Sequence, residues 1–277
     1  MNNILYMVID SVRYDQFCQA KTPVMDRLAP VERRYSFAGW TSPSHFVYLM
    51  GMTPHKSPTG VFASEIYKQD YKQWAGRIGI KETTMAQFVP EFSLPNFLKK
   101  QGYINHAKIS MPIINQTTLI SKYFDTYKLM PRYDDFAGMV DEITFNSSAP
   151  LFYFLNIGEA HYPYRIPKEA LPPLEGENGI FRRVDDTLMG AASHQGEEPL
   201  MERYFNVRHL KYFREKQIES IEYIDGQIER LLNKCPSNTH VIITSDHGEL
   251  FGEGGFFGHG PIMHEKVFEV PFLEVKL

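Results

Sequence analysis

The stretch "NILYMVID" (residues 3–10) is apolar almost throughout and closes on an acid. An unbroken apolar run of this length suits a central parallel strand covered on both faces, whereas a half-exposed strand alternates. Similar runs recur at "LFYFLNI" (151–157), "HVIITSD" (240–246) and "VPFLEVKL" (270–277), with a weaker one at "INHAKIS" (104–110). Helical patterns lie between them. "SLPNFLKKQGY" (93–103) offers Ser93 as an N-cap and Gly102 as a stop. Residues 209–234 place Phe213, Ile218, Ile221, Ile224, Ile228 and Leu231 at three- and four-residue spacings, the stripe of an amphipathic helix. Strands alternating with helices predict an α/β fold: a three-layer sandwich whose central sheet is mostly parallel, with helices on both faces.

At 277 residues the chain fits one domain spanning 1–277. Residues 53–92 and 165–208 show no clear period, and they read either as solvated loops or as substrate-side insertions. With 43% hydrophobic and 14% aromatic residues, extensive disorder is excluded. The net charge is −4 and the arginine pairs 33–34 and 182–183 are isolated, so no nucleic-acid partner is expected. Cys18 and Cys235 are too few for a disulfide framework and read as reduced thiols. Asp10 interrupts the N-terminal apolar run, and no stretch approaches the roughly 18 apolar residues of a membrane span. A soluble, cytoplasmic protein is the expectation; oligomeric state leaves no signal.

In an open α/β sheet, ligands gather at the carboxyl ends of the strands. Asp10 follows the first run, Asp246 and His247 follow the run at 240–246, and Glu159 and His161 follow the run at 151–157. Carboxylate oxygen and imidazole nitrogen at neighbouring strand ends suit a divalent cation such as Zn²⁺ or Mn²⁺. Each residue alone has an ordinary alternative: an aspartate after a strand is commonly a cap, and His161 before "YPY" is commonly structural.

"AGWTSPSHFVYLMGM" (38–52) reads as a helix start, with Pro43 at the first helical position and Thr41 or Ser42 as its cap. Capping uses one hydroxyl and leaves the other free. A helix N-terminus also favours an anionic ester. A hydroxyl attacks at neutral pH only if its pKa is lowered, and a divalent metal does that. Thr41 beside Asp10, Asp246 and His247 would be such a nucleophile.

Taken in order, these segments resemble the sulfatase-like branch of the alkaline phosphatase superfamily. "NILYMVIDSVRYDQF" is similar to its opening strand and metal acid, and "TSPSHFVYLMGMTPHKSPTG" to its nucleophile signature. "FYFLNIGEAHYPY" is similar to the strand with an Asp-x-His-x-Pro-Tyr element, and "TSDHGELFGEGGFFGHGPIMHEKVFEVPFL" to its metal pair, Gly-rich loop and final strand. The resemblance implies Asp10, Asp246, His247 and Thr41 as ligands of one divalent ion, zinc or manganese ahead of calcium or magnesium. A second ion would need Glu159, His161, His259 or His264. Thr41 is implied as the nucleophile. His161 and His259 are implied to contact the anion or the leaving oxygen, with His45 and Glu159 beside the substrate. His45 stands where sulfatases carry Arg, Glu159 where Asp is usual, and Thr41 where sulfatases carry the Cys converted to formylglycine. Thr41 therefore favours phosphate-ester over sulfate-ester hydrolysis, through a phospho-threonine. The alternatives are a phospho-alcohol transferase, a sulfate-ester hydrolase, or an inactive metal- or anion-binding protein on the same fold. Because the sequence ends at Leu277, right after the final core strand, the expectation is that the small C-terminal sheet of many relatives is absent.

Overall fold

The computed structural model describes residues 1–56, 89–172 and 205–277. The expected insertions at 53–92 and 165–208 lie largely outside the described residues. The expected runs form strands β1 (Asn3–Ile9), β3 (Ile104–Ile109), β5 (Leu151–Ile157), β6 (Thr239–Ser245) and β9 (Glu269–Lys276). Two short strands unmarked by apolar runs, β2 (Glu32–Tyr35) and β4 (Thr126–Leu129), complete a seven-stranded sheet in the order β2-β9-β6-β1-β5-β3-β4. β1, β3, β4, β5 and β6 run parallel, while β9 is antiparallel to both β6 and β2.

The continuous apolarity of β1 follows from its place at the centre. Leu5, Met7 and Ile9 face one core, and Tyr6 and Val8 face the other. The first core is roofed by α2 (Pro23–Leu28), α5 (Phe136–Glu142) and α6 (Val207–Leu232). The second is roofed by α3 (Thr41–Leu49) and α4 (Leu94–Lys100). Among the described residues the remaining α-helices are single turns, α1 (Tyr14–Phe17) and α7 (Glu265–Phe268). Helix α6 buries Ile221, Ile224, Ile228 and Leu231 completely; at about 1.5–3 kcal/mol per side chain, this packing outweighs its intrinsic propensity. Ser93 caps α4 as expected, accepting from Asn96 N. The cap of α2 comes from a distant residue, because Asp225 of α6 accepts from Val24 N at 3.1 Å and Met25 N at 2.8 Å.

Register places the site. Ile9 pairs with Ile157 on one side and Ser245 on the other. Asp10, Gly158 and Asp246 therefore leave the sheet side by side at its carboxyl edge. No helix among the described residues is long and apolar enough to cross a membrane.

Candidate active site

Asp10, Asp246 and His247 meet at this edge with no solvent exposure, and one ligand atom from each lies within 4.8 Å of the others. Their polar atoms are committed on one side only. Asp246 Oδ1 accepts from Ser11 N at 3.1 Å and His247 N at 3.0 Å, while its Oδ2 has no hydrogen-bond partner and stands 3.4 Å from His247 Nε2. His247 Nδ1 donates to Gly248 O at 2.9 Å, leaving Nε2 with its lone pair toward Asp246 and Asp10.

Thr41 opens helix α3 above the same point. Its Oγ1 is 3.5 Å from Asp10 Oδ2 and 3.4 Å from His247 Nε2. The capping alternative does not hold. Helix α3 starts at Thr41, its cap position is Trp40 with no side-chain bond, and Pro43 is the third helical residue. Thr41 is brought in by a close backbone contact: Gly260 N donates to Gly39 O at 3.0 Å, and a Cβ on Gly39 would lie 2.5 Å from Gly260 O.

A second row supports these groups from behind. His45, expected beside the substrate, has no exposed surface. Its Nδ1 donates to Thr41 O at 2.8 Å, and its Nε2 accepts from Asn156 Nδ2 at 3.3 Å. The same Asn156 amide donates to Asp10 Oδ2 at 3.0 Å, and Asn156 Oδ1 accepts from Met111 N at 3.0 Å. Asn156 was not anticipated; its only signal is a lone amide in an otherwise apolar strand. Ser245 Oγ donates to His247 O at 2.8 Å, and Tyr48 OH to Ser245 O at 2.8 Å.

His161 and His259 form an outer rim. Their rings lie 5.1 Å apart, edge to face, and His259 lies 4.2 Å from the His247 ring. His161 Nδ1 donates to Tyr162 O at 2.7 Å and His259 Nδ1 to Glu249 Oε1 at 3.3 Å, and neither Nε2 is hydrogen-bonded among the described residues. Two expected residues lie elsewhere. Glu159 Oε1 accepts from Phe136 N at 2.6 Å, supporting the start of α5 rather than facing an ester. His264 caps α7 through Lys266 N. Neither joins a second cluster, and Asp10, Asp246 and His247 are the one close donor group found among the described residues.

The electrostatics fit a cation. Burial raises both aspartates. For Asp10 the charges of His161, His247 and His45 and the Asn156 hydrogen bond outweigh it and bring the pKa down to about 2. For Asp246 burial and the neighbouring Asp10 charge hold the pKa well above the ordinary carboxylate value. Burial, with the charge of His259, depresses His247, which favours the neutral ring that a ligand must have. Two buried carboxylates side by side do not both ionise without positive charge between them. The orphaned Asp246 Oδ2, the lone pair on His247 Nε2, Asp10 and the Thr41 hydroxyl are a donor set that could hold a metal ion. His259 differs: burial lowers it, yet the Glu249 hydrogen bond and the charges of Glu249 and Asp10 leave it above the usual histidine value.

The chain matches the Sulfatase family over residues 2–274. It belongs to the sulfatase family. Solved structures carry the same alkaline phosphatase-like fold. The phosphonate monoester hydrolase of Silicibacter pomeroyi is 15% identical, with 100% of this chain and 68% of that chain covered, at a TM-score of 0.62. The C-terminal periplasmic domain of EptC from Escherichia coli is 14% identical, with 99% and 72% covered, at a TM-score of 0.58; a further structure of that domain is a complex with Zn. The putative sulfatase yidJ from Bacteroides fragilis is 16% identical, with 99% and 68% covered, at a TM-score of 0.54. No curated protein matches the chain. The family match makes this a sulfatase-family chain, and the solved structures share its fold.

Proposed function

We propose that the chain cleaves phosphate mono- or diesters with Thr41 as nucleophile, through a phospho-threonine. The observation that carries this reading is the position of Thr41 Oγ1, within 3.5 Å of both Asp10 Oδ2 and His247 Nε2 and free of any capping bond. Asp10, Asp246, His247 and Thr41 would hold one divalent ion, zinc or manganese by the donor set. When bound, such an ion supplies positive charge that lowers the hydroxyl pKa and offsets the charge of the ester.

The residues then divide the work. With the Thr41 hydroxyl proton first lost to solvent, the bond from Oγ1 to phosphorus forms as the bond to the leaving oxygen breaks, and doubly protonated His259 gives its Nε2 proton to that oxygen. His161, when doubly protonated, would donate from Nε2 to a non-bridging oxygen while Nδ1 stays on Tyr162 O. His45 and Asn156 keep Thr41 and Asp10 in register and touch no ester. Water then displaces Thr41 from phosphorus, with its proton passing back to His259. A sulfatase route through formylglycine has no starting cysteine at this position.

The test is direct. Protein stripped of metal receives Zn²⁺ or Mn²⁺ and is offered aryl phosphate monoesters, diesters and sulfates. The expected result is turnover of phosphate esters that needs the ion, is lost in Thr41→Ala, and leaves a phosphoryl adduct on the Thr41 peptide in quenched samples. Turnover that survives Thr41→Ala would refute the nucleophile. An added alcohol that captures the phosphoryl group in place of water would make the chain a transferase.

A further inference from the structure

One buried carboxylate at the edge of the site has no role in the steps above. Glu249, two residues beyond His247, is 1% exposed. Both its oxygens are used: Oε2 accepts from Tyr164 OH at 2.5 Å and Oε1 from His259 Nδ1 at 3.3 Å. Its backbone is fixed as well, because Arg13 Nη1 donates to Glu249 O at 3.2 Å. Tyr164 is itself buried, held in the aromatic cluster of Phe213, Phe251 and Phe257. Three side chains from separate segments thus form a line, Tyr164 to Glu249 to His259, that ends at the rim of the site.

A carboxylate accepts hydrogen bonds and donates none, so the shared proton sits on His259 Nδ1. That choice leaves Nε2 to face the ring of His247 at 4.2 Å and that of His161 at 5.1 Å between ring centres. Without Glu249 the imidazole is free to turn or to carry its proton on the other nitrogen. We infer that Glu249, seated by Tyr164, is a positioning residue that keeps the His259 Nδ1–H engaged in both protonation states of the ring, so that Nε2 is the nitrogen that gives and retakes the proton at the leaving oxygen. This inference rests on the proposed role of His259. The principle is general: a carboxylate behind a catalytic imidazole sets its orientation without taking the proton itself.

Glu249→Gln and Tyr164→Phe test it by a signature that loss of packing does not produce. Acid help at the leaving oxygen matters for phenyl phosphate and much less for 4-nitrophenyl phosphate, whose anion departs unaided. In Glu249→Gln, kcat/KM for the phenyl ester should fall on the order of 100-fold, and for the nitrophenyl ester by less than about tenfold. Tyr164→Phe, which keeps the carboxylate, should show the same skew at several-fold. Equal losses on both esters would overturn the inference. A second readout needs no turnover. Nitrogen–proton correlation spectra of the zinc-loaded protein, with His259 assigned through His259→Gln, should show neutral His259 protonated on Nδ1; protonation on Nε2 would overturn the inference. Absence of ester turnover by the wild-type chain would remove the proposed activity, while the tautomer would still decide the placement of His259 by Glu249.

Discussion

The inner cluster and the outer rim of this site are built differently. Asp10, Asp246, His247 and Thr41 sit on the ends of β1 and β6 and the first residue of α3, and each is at most 4% exposed. Their bonds on the protein side are nearly complete, and what is left over points to one spot. His161 and His259 sit on connecting segments, partly open to solvent, each tied by one ring nitrogen only. The difference separates two tasks. Holding a cation calls for rigid, dry, preorganised donors, whereas meeting an ester calls for groups that water and substrate can reach.

The largest effect should come from removing the one inner residue assigned to bond making. Thr41→Ala should lower kcat by about a thousandfold or more even at saturating zinc, where Asp10, Asp246 and His247 still retain the ion, as read by steady-state rates and elemental analysis. If metal and activity fall together, the residue belongs to the cation alone. Next, Asp246→Asn should weaken zinc affinity by about 100-fold or more in a chelator competition. It should also raise the melting temperature of metal-free protein by roughly 2–4 °C, the shift expected for about 1 kcal/mol in a chain of this size, because one of two facing carboxylates is neutralised. A metal-free variant less stable than wild type would break the electrostatic half of the comparison.

Glu159 sharpens the contrast, being a buried carboxylate with an unpartnered oxygen but no place in the cluster. Burial raises its pKa from 4.5 to about 7 against the opposing Phe136 hydrogen bond. The folded state then binds a proton more tightly than the unfolded chain. Its contribution is fully present below about pH 4.5, is lost as pH rises toward 7, and stays lost above that. The loss is on the order of 2–3 kcal/mol. Urea midpoints for wild type should fall across this window, and Glu159→Gln should flatten that part of the profile. The smallest effect is expected from Asn156→Ala, which leaves all donors in place. Zinc affinity should fall about tenfold as Asp10 and His45 lose their shared amide, again by chelator competition.

The elements legible in the sequence are those that physics makes redundant. β1 and β5 are covered on both faces, so nearly every residue is apolar and the pattern survives without an alignment. β2 ("ERRY") and β4 ("TYKL") lie at the two edges of the sheet, where charged side chains meet solvent, and no apolar run marks them. Asp10, Asp246 and His247 were readable because each ends a buried strand at the edge where ligands collect. Thr41 needed the resemblance of its neighbours to a known signature, and the cap assigned to it locally was wrong. The supporting row was invisible for a different reason. Asn156 reaches Asp10 and His45 across 146 and 111 positions, and Glu249 reaches Tyr164 across 85, and only folding supplies that proximity. Glu159 shows the converse error, since an acid beyond a strand end was read as facing the site when a helix start claimed it.

Gly248 carries a consequence beyond the site it borders. A Cβ there would lie 2.1 Å from Lys266 O, while its own amide donates to Val267 O at 2.7 Å and its carbonyl holds His247 Nδ1. The aim of that imidazole is therefore calibrated by the short turn that precedes the last strand. Lengthening the 264–267 segment by even one residue would detune the donor from a distance, so tolerance to insertion should vanish at a place that touches no ligand at all.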